Sequence, residues 1–157
     1  MPHKWTPREI RLVTEYVLKR WPDKRAMFRV RLGNLPNILH PTARYADAVV
    51  VDEPDVYLIE AKLENGLRAI GQLILYRKLL KETPGFEKYA DEHIKSLLVV
   101  GKVEKDLIET ATSMGIEVDV FQPPWVLPFL ESLITKRRRV PFFEFPSELK
   151  AEEEAET

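Results

Sequence analysis

"ADAVVVDEPDVYLIEAKL", residues 46–63, decides the fold. Two runs rich in β-branched and apolar residues flank DEPD at 52–55, where Pro and Asp favour a turn, so the stretch reads as a β-hairpin. Both runs carry charge where a buried strand has none: Asp47 in the first, Glu60 and Lys62 in the second. With DEPD as the turn, Val51 pairs with Val56, and the same register sets Asp47 opposite Glu60 with β-carbons about 5 Å apart. Alternation puts Glu60 and Lys62 on one face with Val56 and Leu58, and Asp47 on that face of its neighbour. A slipped pairing would bring Asp52 or Asp55 nearer; in the unslipped register the literal Pro54-Asp55 belongs to the turn.

Like charges opposed on a sheet destabilise it, and AVVV and VYLI are apolar on both faces, so neither strand reads as a solvent-washed edge. Something must compensate. A divalent cation does so: Mg²⁺ takes oxygen ligands, binds through one or two carboxylates and keeps waters and a substrate phosphate. It can activate a water and stabilise charge on a phosphoryl oxygen, with a nearby Lys assisting. The plainer alternative is a structural ion pair in which Lys62 neutralises one carboxylate at the strand ends.

Outward from the hairpin, "TPREIRLVTEYVLKRW" has Thr6 as N-cap, Pro7 at the first helical position, and Ile10, Val13, Val17 and Trp21 at helical spacing, predicting a helix over 7–21. "AMFRVRLG" (26–33) alternates like a strand and ends at Gly33, and 34–43 reads as a loop. Strands are expected near 44–51 and 56–63, then Asn65-Gly66 as a breaker and a helix over 66–82 ending before Pro84-Gly85. "SLLVVG" (96–101) is a strand buried on both faces, 104–115 a helix closed by Gly115, and 116–121 a strand with one wet face. "PPWVLPFLESLITKRRR" reads as a last helix starting at Pro128, and "VPFFEFP" as a strand or docking arm. Hairpin strands, a crossover helix and another strand give an α/β domain with a mixed sheet and helices on both faces.

At 157 residues the chain is expected to be one domain over 1–147 with an acidic disordered tail at 148–157. The formal charge of −1 is uneven: 141–157 holds six acids against Lys150, which leaves 1–140 at net +4, and the first 31 residues carry nine bases against three acids. That basic bias suits a polyanion or a plain solvated face. With no cysteine there is no disulfide framework or thiolate site, which fits a cytoplasmic protein. No apolar run is long enough to span a membrane, and the N-terminus lacks a secretory h-region.

Asp47, then Glu60-Ala61-Lys62 after a hairpin, then a helix, resembles the PD-(D/E)XK nuclease superfamily, over about residues 7–101. The resemblance implies a restriction-endonuclease-like αβββαβ core. It also implies Mg²⁺ (or Mn²⁺) held by Asp47, Glu60 and the Ala61 carbonyl, with Lys62 assisting phosphodiester hydrolysis. "GQLILYRKLL" adds Gln72 and Tyr76, the QxxxY pattern of the RecB-like branch; positions i and i+4 share a helical face, so both can point at the site. Members often carry a glutamate on the first helix. Glu9 falls among Leu12, Val13, Tyr16 and Val17 on the apolar face, whereas Glu15 points away, so Glu9 is preferred. "EIRLV" also has the look of Holliday-junction resolvases.

Around this core Arg44, Arg68 and Arg11 are candidate phosphate contacts, His40 a candidate auxiliary, and Trp5 and Tyr45 candidate stacking residues. The sequence therefore points to a metal-dependent DNA nuclease, exonuclease or endonuclease, with DNA as partner, possible homodimerisation through PWVLPFL and VPFFEFP, and no membrane. A catalytically silent module of the same fold, binding nucleic acid or protein, is the alternative from another class.

Overall fold

The computed structural model describes residues 7–34, 43–64 and 66–138, without the side chains of Arg137 and Arg138. The Thr6 cap, Asn65, Trp5, His40, the VPFFEFP segment and the acidic tail lie outside the described residues. The chain divides into two compact units, the first ending at Pro124 and the second beginning at Trp125.

In the first unit the order is α1 (Pro7–Arg20), β1 (Arg25–Leu32), β2 (Arg44–Asp52), β3 (Asp55–Lys62), α2 (Gly66–Leu80), β4 (Ile94–Val100), α3 (Lys105–Ser113) and β5 (Ile116–Val120). The five strands form one sheet in sequence order, antiparallel from β1 to β3 and parallel from β3 to β5. The switch follows from the connections: a tight turn can only reverse a strand, whereas parallel neighbours need a crossover, here α2 and α3. β4 is buried along almost its whole length, as its apolar sequence requires of a parallel interior strand.

The two faces separate by strand alternation. Val56 and Leu58 pack with Leu73, Tyr76 and Leu80 of α2, together with Leu107 and Ala111 of α3. Tyr57 points the other way and meets Trp21, just beyond the end of α1, with ring centroids 4.7 Å apart. α1 covers that face with Leu12, Val13, Tyr16 and Val17, all buried, and is fastened to β5 by the Tyr16 hydroxyl, which donates to Asp119 Oδ2 at 2.5 Å and accepts from Arg20 at 2.8 Å. Burial first, then the bond to Asp119, pushes the Tyr16 phenol well above its ordinary value.

The register expected from sequence holds: Val51 pairs with Val56. The turn is tighter than expected, because Asp52 also pairs with Asp55 and leaves only Glu53 and Pro54 as the loop. Its acids have structural partners: Asp52 pairs with Lys24 at 3.0 Å, Glu53 accepts from the Tyr89 hydroxyl at 2.9 Å, and Asp55 lies 3.0 Å from His93 Nδ1.

In the second unit α4 (Val126–Arg138) begins two residues before Pro128. Pro is harmless there, because first-turn N–H groups have no intrahelical acceptor to lose. Among the described residues no helix is long and apolar enough to cross a membrane.

Candidate active site

The ladder between β2 and β3 runs from Asp52↔Asp55 to Ala48↔Ile59 and stops one pair short of Asp47 and Glu60. β2 continues alongside β1 as far as Arg44, and β3 continues alongside β4 as far as Lys62, so the hairpin forks where the two carboxylates stand. Side chains replace the missing main-chain bonds. Asp47 N–H donates to Glu60 Oε1 at 3.1 Å, and Ala61 N–H donates to Asp47 Oδ2 at 2.9 Å. Because N–H and C=O of one strand residue leave on the same side, the Ala61 carbonyl also faces the fork.

Both acids are out of solvent, Asp47 at 4% and Glu60 at 0% exposure. Burial, then the neighbouring Asp47 charge, raises the Glu60 carboxyl well above its ordinary value; the Asp47 N–H bond and Lys62 oppose this without cancelling it. Glu60 Oε2 is buried and meets no hydrogen-bond donor among the described residues. Buried carboxylate oxygens are rarely left so, since the desolvation penalty goes uncompensated. Gln72 Oε1 on α2 is in the same condition.

Tyr76, one helical turn along α2, is buried at 2% exposure. Its phenol is pushed up to about 12 by burial first and then by the Glu60 charge, with Arg44 pulling it back and Asp47 adding to the rise. Tyr76, Glu60, Asp47 and Arg44 thus share one electrostatic neighbourhood.

Lys62 and Glu9 stand together at 3.9 Å, their side chains only 11% and 13% exposed. The first turn of α1 therefore reaches the end of β3. Glu15 lies on the other side of that helix and accepts from Arg11 Nε at 2.9 Å in an exposed pair. Arg44 and Arg68 are exposed, and the described contacts bring neither Arg68 nor Arg11 to the carboxylates.

Sequence reasoning missed one feature of this neighbourhood. β1 pairs with β2 at Phe28↔Ala48 and Val30↔Ala46, and the residue between, Arg29, takes a positive φ of 53° directly across from Asp47. Only Gly and, less often, Asn or Asp adopt that conformation readily, so nothing in "MFRVR" signals it.

The donor set fits a hard divalent ion. No group of three or more His, Cys, Asp or Glu side chains converges among the described residues. Two carboxylates, a main-chain carbonyl and water are nevertheless the sparse oxygen set that Mg²⁺ accepts, and Glu60 Oε2 has no hydrogen-bond donor among the described residues.

The fold has solved counterparts. A repair endonuclease from Pyrococcus abyssi is similar with a TM-score of 0.52 at 17% identity, over 79% of this chain and 50% of that one. EndoMS, in a complex with dsDNA, is similar with a TM-score of 0.51 at 16% identity, over 78% of this chain and 48% of that one. The chain thus spans about half the length of these structures. No protein-family model and no curated protein matches it. At such identity the likeness establishes architecture: an α/β, restriction-endonuclease-like fold with a mixed sheet flanked by helices.

Proposed function

We propose that this chain is a metal-dependent deoxyribonuclease of the PD-(D/E)XK type. The observation that carries this reading is the buried Asp47–Glu60 pair at the strand fork, with Glu60 Oε2 lacking any described partner. Asp47, Glu60 and the Ala61 carbonyl would hold Mg²⁺ or Mn²⁺. When bound, the ion supplies Lewis-acid stabilisation of phosphoryl charge and an acidified water.

The remaining roles belong to the chain's own side chains. Lys62 is a cationic donor for charge developing on the phosphate, and Glu9 holds its ammonium at the end of β3. Tyr76 keeps its proton throughout the physiological range and can donate from the α2 side, beside the Gln72 carboxamide. That pair supports the RecB-like branch over the resolvase resemblance. Arg44, Arg68 and Arg11 are assigned to phosphates of the DNA backbone, where exposed guanidinium groups add affinity without sequence choice. The dsDNA in the EndoMS complex is consistent with DNA as the substrate class.

The test is cleavage of end-labelled linear, circular and four-way-junction DNA in Mg²⁺ or Mn²⁺, with Glu60→Ala and the isosteric Glu60→Gln purified in parallel. Wild-type cleavage that disappears in both variants and in chelator is the expected result. The ranking of substrates then separates end-dependent trimming from internal or junction cutting. A folded wild type that binds DNA and cuts none of the three would replace this reading with the silent module.

A further inference from the structure

The antiparallel half of the sheet is polarised along its strands. Its turn end carries acids, Asp52, Glu53 and Asp55. Its fork end carries bases: beyond the position of Arg29 across from Asp47, Arg31 pairs with Tyr45 and Leu32 with Arg44. The acids of these strand ends, Asp47 and Glu60, are buried, whereas Arg29 and Arg44 are exposed and Arg31 is half-buried. What β1 and β2 present to solvent at this end is therefore cationic. β1 is also the edge of the sheet, so a polyanion arriving from that side meets Arg29 and Arg31 before it reaches the carboxylates.

Arg29 is the point at which β1 departs from regular geometry. The register is the same on both sides of it, so no residue has been inserted. Its φ of 53° is nevertheless the one positive value at a non-glycine position among the described residues. An L side chain in that conformation costs free energy that glycine would not. The backbone shape alone therefore asks for glycine, and the exposure of the residue means that packing returns little. A strained residue beside a site is retained for what its side chain does there.

We propose that Arg29 binds a phosphate of the DNA strand beside the fork, with Arg31 and Arg44 flanking it. This rests on the reading of DNA as the substrate and adds the side from which the strand enters, over the β1 edge. Hydrolysis requires a phosphate at Asp47 and Glu60, so a cation across the strand from Asp47 meets the sugar-phosphate backbone before it meets a base. The planar guanidinium fork matches phosphate oxygens two at a time. Its five N–H donors also let it keep a contact within its own chain while it holds a phosphate. The contact adds affinity and placement without sequence choice, and it takes no part in the bond cleavage itself.

The test is binding of end-labelled linear duplex by the full chain over a salt series in chelator, beside single-turnover cleavage in Mg²⁺ at limiting and saturating protein. Arg29→Gly should weaken binding at least fivefold and flatten the slope of log affinity against log salt by about one, with no fall in melting temperature. Its cleavage should return to within a factor of about three of wild type at saturating protein, as loss of a binding contact requires. Arg29→Lys should keep the salt slope and lose part of the affinity, since an ammonium keeps the charge without the fork. Arg25→Ala, at the turn end of the same strand, should bind as wild type does. An Arg29→Gly chain with wild-type affinity and slope overturns the proposal even if the wild type cuts, as does one that loses binding and melting temperature together. A wild type that binds duplex and cuts nothing fails the nuclease reading instead, and the salt slope of Arg29→Gly then decides the contact by itself. A wild type that binds no duplex overturns both.

Discussion

Replacing Glu60 by Gln in metal-free protein should make the fold more stable, and by an amount that grows with pH. Gln keeps the shape and an oxygen to accept the Asp47 N–H, while removing the ionisable group. In the unfolded chain Glu60 gives up its proton near pH 4.3, but in the folded protein it holds that proton to higher pH because it is buried beside Asp47. Between those two values the folded state binds the extra proton, so wild-type stability is fully present below the lower value and is lost as pH rises through the higher. The slope for one group reaches about 1.4 kcal/mol per pH unit while the pH lies between those two values. Urea unfolding in chelator at half-unit steps from acid to mildly alkaline pH measures this directly. Adding Mg²⁺ should then restore stability to wild type and leave Glu60→Gln unmoved. A stability difference that stays flat with pH would refute the reasoning, as would a variant less stable than wild type at neutral pH in chelator.

Glu9→Gln should lower the single-turnover rate of DNA cleavage at least tenfold with little change in melting temperature. Glu15→Gln, which breaks only the exposed pair with Arg11, should leave the rate unchanged and stability within about 0.5 kcal/mol; equal rate losses in both would remove Glu9 from the site. Tyr16→Phe should cost about 1–3 kcal/mol in urea unfolding, because Asp119 and Arg20 lose their shared hydroxyl partner, and an unaltered midpoint would show the network to be incidental. Arg29→Gly should raise the free energy of urea unfolding by roughly 0.5–1 kcal/mol, since glycine tolerates the 53° φ that arginine does not; a lower value would mean that the arginine side chain repays its backbone conformation.

Most of the fold was legible because its signals are local and periodic. The apolar period of "EIRLVTEYV" placed α1 within a residue of its observed end and set Glu9 on its apolar side, where it meets Lys62. Alternation on both sides of DEPD fixed the Val51↔Val56 register, from which the proximity of Asp47 and Glu60 followed. The tightness of the turn was not legible, because four polar residues between two apolar runs satisfy either loop length. The positive φ at Arg29 was not legible either, since that conformation arises from how β1 meets β2 and not from a residue that prefers it.

The strand fork binds these levels together. Extending the antiparallel ladder through Asp47 and Glu60 would place two carboxylates in direct opposition with no counter-charge between them, which a sheet resists. Ending the ladder at Ala48↔Ile59 opens room between the strands and deprives the adjoining N–H groups of main-chain acceptors. Each carboxylate then accepts one of those groups, so the acids help hold the sheet together where it opens. Alanine at either position would leave a buried N–H without a partner, whereas an amide could still accept from it. The polar character of these two positions therefore follows from the fold alone, and their charge does not. What the fold leaves unexplained is the charge itself: a buried Glu60 whose second oxygen meets no described donor, beside a second acid, is the part of the structure that calls for a cation.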